Sequence, residues 1–126
     1  MQATELDPYS PEVRRFFANP VHAGTLQNSY SQTALGTSAE SEDGAKVEIA
    51  IGIADDIIVE CRYRVYGCPH LVAAAEWLCT LVEAEPLSAL SNISVTQCMD
   101  VLSVPVDKTG RILLLEDAIR SLHERL

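Results

Sequence analysis

With 126 residues and 13.7 kDa, the chain is long enough for one core that hides about two-thirds of the surface of its unfolded state. Hydrophobic residues make up 48%, yet apolar runs such as residues 112–115 fall far short of the roughly 20 residues of a bilayer span, which argues against a membrane-spanning helix. Eighteen acidic residues against nine basic ones give a net charge of −9, with acid crowded between Glu40 and Glu60, and this balance argues against nucleic acid as a partner.

Residues 1–9 read as a loose leader with neither a basic start nor an apolar stretch, so no secretory signal is expected and the cytoplasm is the default location. Ser10-Pro11 is a helix start, and a short helix to about Ala18 should place Val13, Phe16 and Phe17 on one face before Asn19-Pro20 stops it. From Gly24 to Gly44 the chain is rich in Ser, Thr, Gln and Gly, with an indistinct strand around Tyr30–Leu35 and a mobile loop near Thr37–Gly44. Strict alternation then sets in, with Val47, Ile49, Ile51 and Ile53 on the buried face of a strand. Asp55-Asp56 makes a turn, and Ile57, Val59, Cys61, Tyr63 and Val65 share a face of the returning strand, which predicts an antiparallel hairpin ending at Gly67.

Pro69 opens a helix in which Leu71, Val72, Ala75, Leu78, Cys79 and Val82 recur at helical spacing, with Glu76 and Glu83 left outside. A short turn at Leu87–Leu90, a helix over Val95–Leu102 and a last helix over Ile112–Glu124 complete an α+β order: one helix, a small antiparallel sheet, then helices covering one face of it.

Four cysteines in such a chain are read as reduced thiols. Cys61, Cys79 and Cys98 fall in apolar stripes and read as small buried hydrophobes. Cys68 belongs to no stripe. It sits in Gly67-Cys68-Pro69-His70 at a strand-to-helix turn, where the helix dipole and unsatisfied N–H groups favour a thiolate, the form that acts as nucleophile and metal ligand. His70 is a candidate second ligand or proton partner, or simply an exposed histidine of the first helical turn; its spacing from Cys68 matches no familiar zinc pattern. His22 and His123 stand alone and are expected at the surface. No phosphate loop, dinucleotide fingerprint or hydrolase motif is present.

The run Arg62-Tyr63-Arg64-Val65-Tyr66-Gly67-Cys68 before a helix resembles the strand–Tyr-Gly-Cys–helix junction of the IscU/NifU N-terminal family of iron–sulfur cluster assembly scaffolds, to which the SufU-like proteins also belong. Asn19-Pro20-Val21-His22-Ala23-Gly24 resembles the family's early Asn-Pro…Gly segment, and Glu116-Asp117-Ala118-Ile119 its closing helix. The resemblance covers about residues 10–126 and implies one domain with a three-stranded antiparallel sheet, helices packed on it, and a cluster or zinc site made by three cysteines and an aspartate. By this resemblance Asp43 and Cys68 keep two of the ligand positions, whereas Ser41 and Arg111 stand where the family has cysteines, and Val104–Lys108 replaces its chaperone-recognised Leu-Pro-Pro-Val-Lys segment.

Neither a serine hydroxyl nor a guanidinium replaces a thiolate on iron or zinc, so any cluster or zinc is expected to be held weakly or not at all. Arg111 is instead expected to pair with Asp43 or to support the Cys68 thiolate, with His70 as an auxiliary group. The resemblance implies a scaffold-like role in iron–sulfur cluster assembly, with Cys68 as a persulfide acceptor or residual metal ligand and a cysteine desulfurase or other assembly proteins as partners. The alternative is a partner-binding or regulatory module that kept the fold and lost the chemistry. A thiol enzyme built on Cys68 and His70 is disfavoured, because no orienting third group is recognisable.

Overall fold

A computed structural model describes residues 9–126; the expected leader, apart from Tyr9, lies outside the described residues. The elements are α1 (Pro11–Ala18), β1 (Gln32–Thr37), β2 (Lys46–Ala54), β3 (Ile57–Tyr66), α2 (Pro69–Val82), α3 (Val95–Leu102) and α4 (Thr109–Glu124), with 3-10 turns at Leu87–Asn92 and Val106–Lys108. Helix α1 starts where Ser10 predicts. Its hydroxyl accepts the Val13 N–H at 3.0 Å and donates to the Leu102 carbonyl at 2.5 Å, so one side chain caps α1 and ties it to α3. Val13 is buried and Phe16 partly so, but Phe17 is exposed: the short helix rests on its neighbours along Val13, and Phe17 falls beyond that contact.

The sheet has strand order β1-β2-β3, antiparallel throughout. Alternation in β2 places Val47, Ile49, Ile51 and Ile53 in the core, with α4 packed on β2 and α2 on the neighbouring β3. Gly36 of β1 lets α4 approach: a Cβ there would stand 2.2 Å from the Ala118 carbonyl oxygen, which no real contact tolerates. The stretch 37–44, expected as a mobile loop, is held at both ends of its first turn. Ser38 Oγ accepts the Val47 N–H at 2.9 Å, and the Ala39 N–H donates to the Asp117 carboxylate at 2.7 Å.

Asp55 and Asp56 form the two-residue hairpin turn at φ 53° and 61°, a left-handed pair that Asp tolerates better than most residues. Beside it the pairing shifts from Gly52 opposite Glu60 to Ile53 opposite Ile58, leaving Val59 as the extra residue of a β-bulge. The bulge reverses the facing of the strand start, so Ile58 is buried and Val59 exposed, contrary to simple alternation, while Cys61 and Tyr63 point inward as expected.

Helix α2 is buried on nearly every side because the sheet covers one flank and α1 the other. That sandwich explains the largest departure from the sequence pattern: Glu76, expected outside, is only 2% exposed. Helix α4 begins at Thr109, earlier than the periodicity suggests, and so carries Arg111 in its first turn. Among the described residues no helix is long and apolar enough to cross a membrane.

Candidate functional site

Three chain segments meet at one end of the sheet. The first is the turn before β2, where the Ser41 N–H donates to the Ala45 carbonyl at 2.9 Å and the Gly44 N–H to the Ser41 carbonyl at 2.9 Å. Gly44 takes φ +88°, a conformation other residues rarely adopt, and this closes the turn. The Ser41 hydroxyl accepts the Ala45 N–H at 2.9 Å and donates to Asp43 Oδ1 at 2.6 Å, which aims the carboxylate outward.

The second segment is the first turn of α4. Arg111 Nη1 donates to Asp43 Oδ1 at 2.8 Å and Nη2 donates to Oδ2, a two-pronged grip in which Nη1 also reaches Ser41 Oγ at 3.5 Å. Hydrogen bonds from Arg111, then from Ser41, hold the Asp43 carboxyl well below the usual carboxylate range. The same contact pushes the Arg111 guanidinium pKa up, and the charge of the nearby Cys68 sulfur adds to it.

The third segment is the junction of β3 and α2. Cys68 is the N-cap of α2 with extended backbone, and its carbonyl accepts the N–H groups of Leu71 at 3.0 Å and Val72 at 3.2 Å. Its side chain makes no capping bond and is partly buried. An open cleft of about 330 Å³ is lined by Asp43, Gly44, Ala45, Tyr66, Gly67, Cys68 and Arg111. Ser41 touches this cleft only through Asp43 and Arg111. The fold thus brings Ser41, Asp43, Cys68 and Arg111 to one place.

It does not bring His70 there. His70 is 1% exposed rather than at the surface, does not line the cleft, and packs its ring 4.8 Å from that of Tyr9. Neither ring nitrogen has a hydrogen-bond partner among the described residues. Burial first, and then the charge of Lys108 against the opposing charge of Asp107, lower its pKa.

The donor set does not fit a cluster or zinc. Only one thiol faces the cleft, and both oxygens of its carboxylate are taken by a guanidinium. Among the described residues no group of three or more His, Cys, Asp or Glu side chains is arranged to hold a metal ion. What remains is a thiol beside a fixed cation.

A second polar cluster went unread in the sequence. His22, expected at the surface, donates its backbone N–H to Glu76 at 3.0 Å, sets Nδ1 against the other Glu76 oxygen, and sets Nε2 3.0 Å from Glu83. Tyr63 donates to Glu76 at 3.1 Å, and burial first, then the Glu76 charge, raise the pKa of its hydroxyl. Arg62 bridges Glu83 at 2.9 Å and Glu60 at 3.2 Å, and Tyr30 donates to Glu60 at 2.7 Å. The available signal was Glu76 itself: a lone acid in a helix apolar on nearly all sides has to be paired. A separate open groove of about 770 Å³ lies away from Cys68, beside Leu35, Glu48, Arg62, Arg64 and Arg125, and no cysteine lines it.

The chain is also similar to known proteins in sequence and fold. The chain is 28% identical over 114 residues to Iron sulfur cluster assembly protein 1, mitochondrial, of Schizosaccharomyces pombe, covering 90% of this chain but 59% of that protein. It is 26% identical over 114 residues to the iron-sulfur cluster assembly scaffold protein IscU of Haemophilus influenzae, covering 90% of each. Among solved structures, the crystal structure of a nitrogen-fixing NifU-like protein (N-terminal) from Brucella abortus superposes with a TM-score of 0.69 at 16% identity, over 96% of this chain and 99% of that one. The family model described as NifU-like N terminal domain matches residues 8–122. The chain therefore belongs to the NifU-like N terminal domain family.

Proposed function

We propose that the protein serves iron–sulfur cluster assembly as a scaffold-type component that carries sulfur on Cys68 rather than a bound cluster, working with other assembly proteins and without enzymatic turnover of its own. Names of relatives supply the setting, since those at 25–28% identity include iron-sulfur cluster assembly scaffold proteins. The single observation that carries the narrower reading is the Arg111–Asp43 grip at the cleft edge, which withdraws the carboxylate from metal binding and leaves a guanidinium facing the thiol. Such a cation suits an anionic sulfur species on Cys68 and opposes an iron or zinc ion.

In this reading a cysteine desulfurase presents a persulfide. The Cys68 sulfur attacks its outer sulfur, a new S–S bond forms, the donor's S–S bond breaks, and the donor leaves as a thiolate. Arg111 holds the resulting perthiolate by charge. The test is incubation of the purified chain with a desulfurase and cysteine, followed by intact and peptide mass spectrometry. One added sulfur on Cys68, absent from Cys68→Ser and slower to appear on Arg111→Ala, supports the assignment. An unmodified Cys68, or iron held tightly at one equivalent per chain, overturns it.

A further inference from the structure

Cys61 of β3 and Cys79 of α2 are both fully buried and unbonded covalently, yet their sulfurs stand 3.2 Å apart. A disulfide needs about 2.05 Å, so roughly an ångström of movement separates contact from a bond. The strand and helix are clamped on both sides of the pair. On one side, the Cys61 N–H donates at 2.9 Å to Glu83, which lies four residues beyond Cys79 and caps the C-terminal end of α2. On the other, the hydroxyl of Tyr63, two residues beyond Cys61, donates to Glu76, three residues before Cys79. These bonds fix the register in which the two thiols meet. The segment between them holds Gly67-Cys68-Pro69, so a link at this point would tie together the two arms that carry the partly buried Cys68 thiol.

We propose that Cys61 and Cys79 form a redox pair, oxidised by a hydroperoxide to a disulfide that locks β3 to α2 around the Cys68 junction. In the reaction the two thiols give up two protons and two electrons, a sulfur–sulfur bond forms, and the O–O bond of hydrogen peroxide breaks to give two waters. Solvent does not reach the pair in the closed fold, and burial together with Cys61, Glu76 and Glu83 opposes ionisation of Cys79. Oxidation therefore runs through local opening of α2 from the sheet, and closure follows because the clamps return the sulfurs to contact. A cross-link there removes freedom chiefly from the unfolded chain and so stabilises the fold. The proposal stands on the geometry of this pair and is independent of what Cys68 carries.

The experiment uses the full chain with Cys68→Ser, which removes the competing thiol while placing a favourable N-cap residue at the start of α2. Treatment with hydrogen peroxide should yield a species two hydrogens lighter, with a Cys61–Cys79 peptide link seen before reduction, an unfolding midpoint several degrees higher, and reversal by dithiothreitol. The doubly substituted Cys68→Ser, Cys79→Ala chain should show none of these changes, and the parent chain, if Cys68→Ser fails to fold, is assayed by the same peptide map. Both thiols remaining open to alkylation after denaturation, a link to Cys98 instead, or a disulfide that lowers the midpoint would each overturn the proposal.

Discussion

Arg111 holds both carboxylate oxygens of Asp43 across 68 residues of chain, joining the start of α4 to the turn before β2. Because this contact depresses the folded-state pKa of Asp43, its stabilisation is present above the unfolded value of about 3.9 and is lost as pH falls below that towards the folded value. Asp43→Asn is expected to unfold slightly more easily than the parent at pH 7, with the gap shrinking as pH drops below about 4. Urea midpoints measured across that range decide it. A gap that grows on acidification means the pair is not formed in solution.

The same grip governs metal affinity. Zinc titration of the parent should show weak binding, because a stable zinc site normally has about four ligands and Cys68 stands alone as a soft donor in the cleft. Arg111→Cys removes the cation, frees Asp43 and adds a thiol facing Cys68, and it should tighten zinc binding by at least about tenfold, equivalent to 1.4 kcal/mol. Equal affinities for the two proteins, measured by competition with a chromogenic chelator, would show that Arg111 is remote from Cys68.

Thiol reactivity should separate sharply. Cys61, Cys79 and Cys98 are 0% exposed, and burial pushes the Cys98 thiol up to about 12 and raises Cys79 further from reactivity. Brief alkylation of the native protein should therefore label Cys68 first by a wide margin, as read by peptide mass spectrometry. Comparable labelling of Cys98 would contradict the packing of α3 on α4.

His70 offers a test of a buried group that has no hydrogen-bond partner among the described residues. Replacing it by leucine should stabilise the fold by about 1 kcal/mol, since two buried nitrogens without hydrogen bonds give way to an apolar side chain. Its lowered pKa means that the neutral form is the one folded, so the histidine's contribution is intact above the unfolded value of about 6.5 and falls away as pH drops below it. Thermal melts at pH 7.5 and 5.5 should show the parent losing more stability on acidification than His70→Leu. A destabilised leucine variant would assign the ring a role that its surroundings do not reveal.

Much of this architecture was legible from residue order alone, because the features concerned are local. Ser10-Pro11, the alternation over Val47–Ile53, Asp55-Asp56 and the turn Gly67-Cys68-Pro69 each dictate backbone geometry within a few residues, and each element formed where they predict. The convergence of Asp43, Cys68 and Arg111 was reached through the likeness of separated segments to a known family, and the fold brings those residues together. Tertiary structure alone decided the rest. The β-bulge at Val59 depends on how β3 meets β2, and the burial of Glu76 and His70 depends on α1 and Tyr9 covering a helix whose periodicity counts only one partner. His22 became a bridge between Glu76 and Glu83, and Cys61 the neighbour of Cys79, for the same reason: long-range packing brings together residues 18 to 61 positions apart, a distance over which no local pattern carries information.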